Sequence, residues 1–186
     1  TAYTGSVGTR YNFNKRWAIR GNINSGYRPP SLGGLYYSTI SSTPSYTTAY
    51  EASNSAVTRL LGGEGRKGEY SRSYSIGIDA TPVDNFHLTA NLYRIGINDR
   101  LESTSNFGGT AIENLLQDQG ISGVRFVQYY TNPVDTVTNG GDINATYLWN
   151  LPQGHSLEFG VFVNIADTEI SRYRKTPSIL AAYGQS

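Results

Sequence analysis

Few side chains in this sequence could do covalent chemistry. His87 and His155 are the only histidines, and each stands beside a turn. Neither has a carboxylate or a third histidine at metal-ligand spacing, so both read as ordinary exposed residues. Cysteine is absent, which removes thiolate metal sites, thiol nucleophiles and disulfide frameworks together. Gly62-Gly63-Glu64-Gly65 resembles a phosphate loop only in its glycines. No Gly-Lys-Ser/Thr ending follows, so it reads as flexible loop. No Ser-His-Asp set or carboxylate pair converges on one place. Catalysis, a metal centre and a cofactor are therefore not expected.

Binding chemistry is better supplied. The loop at 35–50 carries Tyr36, Tyr37, Tyr46 and Tyr50. Their rings could stack on a small ligand and their hydroxyls hydrogen-bond to it. The competing reading is that they pack the loop or mark a membrane interface. Arg59, Arg66, Lys67 and Arg72 make the following stretch basic, enough to steer an anionic ligand or to meet anionic lipopolysaccharide. The net charge of +1 gives no clustered basic footprint, so a nucleic-acid partner is not expected.

Strands must position these residues. Charged residues make up only 16 % of the chain, against 21 Gly and 15 Tyr. That composition suits strands and turns rather than helices. Tyr3, Gly5, Val7, Thr9, Tyr11 and Phe13 alternate with Thr4, Ser6, Gly8, Arg10 and Asn12. Past the turn Asn14-Lys15-Arg16, Trp17, Ile19, Gly21 and Ile23 alternate with Ala18, Arg20, Asn22 and Asn24. One apolar and one polar face make a hairpin. A second hairpin places Tyr74, Ile76, Ile78 and Ala80 before a turn at Pro82-Val83-Asp84-Asn85, with Phe86, Leu88, Ala90 and Leu92 after it. Its phase slips near Tyr93, predicting a β-bulge that moves Tyr93, Ile95 and Ile97 to the apolar face and Arg94 to the polar one. A third hairpin joins Ile143, Ala145, Tyr147 and Trp149 through Leu151-Pro152-Gln153-Gly154 to Leu157, Phe159, Val161, Val163 and Ile165. A separate strand is expected at 124–130.

The connections alternate in length. Turns within hairpins are short, whereas 26–68 and 101–122 are long. Short turns at one end and long loops at the other are the pattern of an outer-membrane barrel, with periplasmic turns and extracellular loops. A soluble β-sandwich would have no reason for it. Phe13, Trp17, Phe86 and Trp149 lie beside the short turns; Tyr27, Tyr36, Tyr37, Tyr129 and Tyr130 lie toward the loops. Such rings suit the two interfaces of a bilayer. Arg10, Arg20, Arg94 and Glu158 fall on the polar face in this phasing. A lipid-facing Arg at the midplane would cost about 2–4 kcal/mol.

The loops carry helical signals as well. Thr110-Ala111-Ile112-Glu113 reads as a capping box, with Gly120 ending the helix. Asn54 is expected to cap a turn through Val57 and Leu60, and Thr176-Pro177 to start another helix.

Several strings also resemble a known family in order and spacing. Gly26-Tyr27-Arg28-Pro29-Pro30-Ser31-Leu32 resembles the Gly-aromatic-Arg-Ala-Pro-Ser-Leu motif of TonB-dependent receptors, with Pro29 in the Ala position. The stretch 69–82 resembles the family's Glu-x-Ser-x-Ser-Tyr-Ser-x-Gly strand, and 84–100 the strand after it. Thr131-Asn132-Pro133-Val134-Asp135-Thr136 with Gly140-Gly141-Asp142, and Asp167-Thr168-Glu169-Ile170, resemble two later stretches. The resemblance is to the C-terminal part of the barrel.

It implies an all-β fold: an antiparallel transmembrane β-barrel segment, about seven strands of a plugged barrel of about 22. Residues 1–186 would then be a partial barrel domain in the bacterial outer membrane, lacking the plug, the TonB box and the final strands. The implied activity is uptake of a scarce nutrient, such as a ferric siderophore, haem or cobalamin, energised by TonB. Partners would be outer-membrane lipid, TonB and the small-molecule ligand, with Tyr36, Tyr37, Tyr46 and Tyr50 as candidate ligand contacts. A structural or adhesive barrel, a passive porin-like barrel and a barrel enzyme are the alternatives.

Overall fold

The structure, a computed structural model, describes residues 2–174. The helical start expected at Thr176-Pro177 lies outside them. In chain order the elements are β1 (Gly5–Asn12), β2 (Trp17–Arg28), α1 (Leu32–Tyr36), β3 (Thr39–Ser42), β4 (Thr47–Glu51), α2 (Ala56–Leu60), β5 (Glu69–Ala80), β6 (Phe86–Ser103), β7 (Phe107–Gly108), α3 (Thr110–Asp118), β8 (Phe126–Asn150) and β9 (Ser156–Tyr173). The fold is all-β. Among the described residues no helix is long and apolar enough to cross a membrane, which leaves crossing by strands open. Strands pair in the order β1-β2-β5-β6-β8, and β9 pairs with β8. The chain forms two compact units.

The first unit draws on Thr1–Tyr27, Tyr70–Ile97 and Thr136–Ser171. Its β1–β2 register is the one that alternation predicts: Val7 faces Ile23 and Tyr11 faces Ile19, while Ser6 faces Asn24 and Arg10 faces Arg20. The three expected short turns all form. Asn14 builds the first, its Oδ1 accepting from the backbone of Arg16 at 2.8 Å and Trp17 at 3.0 Å. Asn85 and Gln153 bend the other two with φ of 66° and 67°.

One face of this unit is apolar yet bare. Val7, Ile23, Ile76, Leu92, Ile143, Val161 and Ile165 are all exposed. An uncovered patch of this kind marks an interaction surface in a water-soluble protein, but in an outer-membrane barrel it is the lipid-facing band. The opposite face is a polar chain. Asp79 accepts from Arg10 at 2.5 Å and pairs with Arg20 at 3.5 Å. Arg20 continues to Asn91 and Asn91 to Asp142, each at 2.7 Å. Arg10 and Arg20 are direct cross-strand partners, a like-charge pairing that Asp79 neutralises.

The slip expected at Tyr93 does not occur. Tyr93 stays on the polar face with Asn91, its hydroxyl accepting from Asn164 at 3.2 Å. Gly140 makes this possible, because any side chain there would collide with the Tyr93 ring. The ladder therefore keeps phase, and Arg94 shares the outward face with Leu92 rather than the polar face. Arg94 reaches Asn139 at 3.1 Å. An outward Arg costs about 2–4 kcal/mol at the bilayer midplane but only about 0–1 near an interface. The departure from regular β6 backbone lies further on, at Asp99, with φ of 56°.

The second unit draws on Arg28–Glu69, Asn98–Asp135 and Arg172–Ser186. It holds a water-excluded core. Ile112, Leu115 and Leu116 of α3, at i, i+3 and i+4, pack with Val57, Leu61, Phe107 and Val127. Tyr129 is 3 % exposed in this core, so it is no interfacial ring. The β3–β4 hairpin joins by parallel pairing of Thr48 with Phe126 and Glu51 with Tyr129. The strand expected at 124–130 is no separate element: it is the start of β8, which runs 25 residues to Asn150.

Two cap assignments also change. Ser55, not Asn54, caps α2, its hydroxyl accepting from Thr58 N at 3.0 Å. The capping box at Thr110 does not form. Gly109 holds the cap position with φ of 102° and no side-chain bond, and Thr110 is already helical. Gly120 turns the chain after α3 with φ of 81°, as its position implies.

Candidate functional site

The second unit gathers groups that could hold a small ligand. Of the four loop tyrosines, Tyr37 and Tyr50 line one cleft of about 270 Å³. Antiparallel pairing of β3 with β4 sets Tyr50 opposite Thr39, which lines the same cleft. Tyr130, Gln128 and Glu51 line it as well. Tyr36 is exposed and outside it, and Tyr46 packs edge-on to Phe126 at 5.6 Å between centroids. Sequence reasoning thus named four tyrosines, and the fold brings two together.

Glu51 and Tyr130 were not foreseen. Glu51 is 8 % exposed and accepts from Ser38 Oγ at 3.0 Å. A carboxylate in that setting adds a hydrogen-bond acceptor to an otherwise aromatic wall. Nothing in the local sequence marks it, since its burial depends on the parallel pairing with residues near 129.

The expected basic cluster disperses. Arg59 donates to the Asn54 carbonyl at 2.6 Å. Lys67 lies 3.8 Å from Glu64 at the surface. Arg72 belongs to the first unit. Arg66 alone turns inward, its guanidinium 5.6 Å from the Tyr130 ring centroid. It lies where a side chain on Gly34 would be, and its Nε is buried without an acceptor. Burial lowers the Arg66 pKa, and nearby Arg28 adds to this; Tyr130 and Glu69 oppose without cancelling it. A half-buried cation held over a phenol ring can meet an anionic or electron-rich aromatic ligand.

A second cleft of about 490 Å³ lies in the same unit, lined by Gly63, Lys67, Thr104, Tyr129, Asn132 and Arg174 among others. Asn132 organises its wall: its Oδ1 accepts from Lys67 N at 2.8 Å and its Nδ2 donates to Asp99 O at 2.5 Å. Arg174 donates to the Asn132 carbonyl and to the Asp99 carboxylate. Asp135 accepts from Asp99 N at 2.9 Å and pairs with Arg172 at 2.7 Å. Burial alone would raise the Asp135 pKa, but the Asp99 amide and the Arg172 and Arg174 guanidiniums outweigh it and lower it. With its polar groups already paired to one another, this cleft wall reads as framework.

His155 closes the third short turn, its backbone carbonyl accepting from Leu151 N at 2.8 Å. His87 Nδ1 lies 3.2 Å from Thr81 Oγ1 beside the second short turn. Among the described residues no three His, Cys, Asp or Glu side chains stand close enough to hold a metal ion.

Comparison with known proteins agrees with the architecture. Solved structures of similar fold include the siderophore receptor PirA from Pseudomonas aeruginosa, at 13% identity and TM-score 0.59, covering 88% of this chain and 28% of that one. The copper transporter OprC matches at 17% identity and TM-score 0.54, covering 90% and 20%. A mutant of the ferric enterobactin receptor PfeA from Pseudomonas aeruginosa matches at 16% identity and TM-score 0.54, covering 88% and 21%. The chain thus spans between a fifth and just over a quarter of these proteins. No curated protein matches it. The family model for the TonB dependent receptor-like β-barrel matches residues 1–179. The chain belongs to the TonB-dependent receptor β-barrel family, a family of receptors rather than enzymes.

Proposed function

We propose that this chain is part of the barrel of a bacterial outer-membrane receptor that captures a scarce nutrient and imports it with energy from TonB. The observation that carries the reading is the two-faced sheet of the first unit. Its outward side is a bare apolar band, and its inward side an ion-paired chain from Arg10 to Asp142. Only a bilayer outside and water inside suit both faces. Residues 1–186 are then a partial barrel domain, and the plug and TonB box belong to the rest of the parent protein. Similarity to siderophore and copper receptors supports a ferric siderophore or metal cargo.

Tyr37 and Tyr50, with Tyr130 and Arg66 beside them, are the ligand contacts we favour; Tyr36 and Tyr46 serve the loop itself. Uptake by the full-length receptor, expressed in cells lacking other receptors, tests the reading. Accumulation of a ferric siderophore or Cu(II) that stops when TonB is deleted supports it. Conductance through an open pore without TonB-dependent accumulation would replace it with a passive barrel.

A further inference from the structure

The Tyr37–Tyr50 cleft holds a negative charge with no counter-ion. Glu51 and Asp135 are the two acidic residues buried among the described ones, each 8 % exposed. Asp135 is paired with Arg172 at 2.7 Å. Glu51 meets no cation among the described residues; its Oε2 accepts from the neutral Ser38 hydroxyl at 3.0 Å. Two partly buried carboxylates of the same unit also have arginines: Glu69 pairs with Arg28, and Asp99 with Arg174. A carboxylate taken out of water without a cation is costly, and that cost falls when a cation arrives.

The wall around Glu51 is built of acceptors. Ala52 N donates to Ser38 Oγ at 2.9 Å, and Ser38 in turn donates to Glu51, which orients the carboxylate. Gln128 is held by its amide nitrogen on the Thr104 carbonyl at 3.2 Å, which leaves its side-chain oxygen as an acceptor. Tyr37, Tyr50 and Tyr130 add exposed rings. Among the described residues no lysine, arginine or histidine lines the cleft. Arg66 lies against Tyr130 and Gly34 but outside the lining, and the charges that act on it are those of Tyr130, Arg28 and Glu69, not Glu51.

This composition selects among cations. A hard metal ion takes about six or more oxygens, several of them from carboxylates. Glu51 is the one carboxylate lining this cleft among the described residues. An organic ammonium needs less: aromatic faces for its carbons and charge, and one carboxylate for its N–H groups. At about 270 Å³ the cleft is smaller than the roughly 300–1,000 Å³ of sites that enclose a whole ligand, so it takes one group of a larger one.

We propose that the cleft seats a protonated amine of the cargo, its N–H groups donating to Glu51 and Gln128 and its carbons lying against Tyr37, Tyr50 and Tyr130. This rests on the import reading, and the experiment separates the two.

The probes are n-butylammonium, n-butanol and tetramethylammonium, and saturation-transfer NMR follows their binding to the full-length receptor in detergent micelles. A heat-modifiable shift on gels reports barrel formation independently. The unaltered receptor should bind n-butylammonium roughly tenfold or more tightly than n-butanol. Glu51→Gln preserves the shape of the side chain and an acceptor for Ser38, so it should keep the gel shift yet lose that preference. Glu64→Gln, at an exposed carboxylate of the same unit, should retain it. No preference in the unaltered receptor would overturn the site, as would equal loss in the Glu64→Gln control. Tetramethylammonium bound as tightly as n-butylammonium would overturn the N–H contacts, because it has no N–H to donate. Cu(II) binding that depends on Glu51, without an ammonium preference, would overturn the amine in favour of a metal ion. TonB-dependent uptake is measured on the same receptor. Uptake without the preference sinks the site and keeps the import reading; the preference without uptake keeps the site and sinks the import reading.

Discussion

Tyr93 lies over Gly140: a Cβ at residue 140 would sit 2.5 Å from the tyrosine hydroxyl and 2.5 Å from its ring. The absence of a side chain on β8 thus leaves room for the ring on the polar face of β6, and Asn164 completes the placement. Gly140→Ala should force Tyr93 aside and cost about 1–3 kcal/mol. Urea unfolding of the full-length barrel in lipid vesicles measures it. Tyr93→Ala in the same protein should return part of the loss, because the two positions are coupled; strictly additive costs would contradict the contact.

Asp79 holds two arginines that would otherwise repel each other. Both are substantially exposed, so solvent and salt screen the pair interactions. Asp79→Asn should destabilise the barrel by about 1 kcal/mol at low salt. At molar salt the difference from the unaltered protein should shrink. A cost that does not depend on salt would mean that packing, not charge, is what Asp79 supplies.

The lowered pKa of Asp135 has a pH signature. Asp135 is 15 residues from the Asn150 end of β8, beyond the 9–11 residues or so that span the apolar band. A carboxylate depressed by folding contributes stability above its unfolded pKa of about 3.9, and that contribution is lost as pH falls through the lower folded value. Hydrogen exchange at the Asp99 amide should therefore stay slow through mildly acid pH and accelerate only below the ordinary carboxylate range. In Asp135→Asn the amide should exchange faster at neutral pH and show no such acid step.

Ligand contact in the Tyr37–Tyr50 cleft can be read by substitution. Tyr37→Ala and Tyr50→Ala should each weaken ferric siderophore or Cu(II) binding by about 2- to 12-fold, the worth of an aromatic contact. Tyr36→Ala should leave binding unchanged. Equal effects at all three positions, measured on whole cells at 4 °C, would argue for general loop damage instead.

Cap substitutions check the loop helices. Ser55→Ala should cost about 1 kcal/mol locally, since it removes the acceptor for Thr58 N. Thr110→Ala should be close to neutral because its hydroxyl caps nothing. Exchange rates of the α2 and α3 amides distinguish the two.

Legibility followed the range of the interactions. The hairpins were readable because alternation and turn chemistry are local, and β1–β2 pairs in the register that alternation implies. The continuity of β8 was not, because Pro133 and the Gly140-Gly141 pair interrupt its pattern as loop residues would. Tyr93 was misplaced for the same reason: the deciding residue, Gly140, is 47 positions away. In the candidate site, tyrosines could be named from composition. Which of them share a wall with Glu51 depends on pairing between β4 and β8, a contact with no local sign.

That parallel pairing has a consequence for assembly order. Thr48 meets Phe126 and Glu51 meets Tyr129, so β4 waits for a partner made some 78 residues later. Contacts of such separation form slowly, after the cost of closing a long loop has been met. During synthesis and export the tyrosine-bearing hairpin is an unfinished edge, complete only when the head of β8 arrives. The cleft beside it is therefore among the last parts of this chain to mature, and the part a slow or stalled folding reaction leaves unmade.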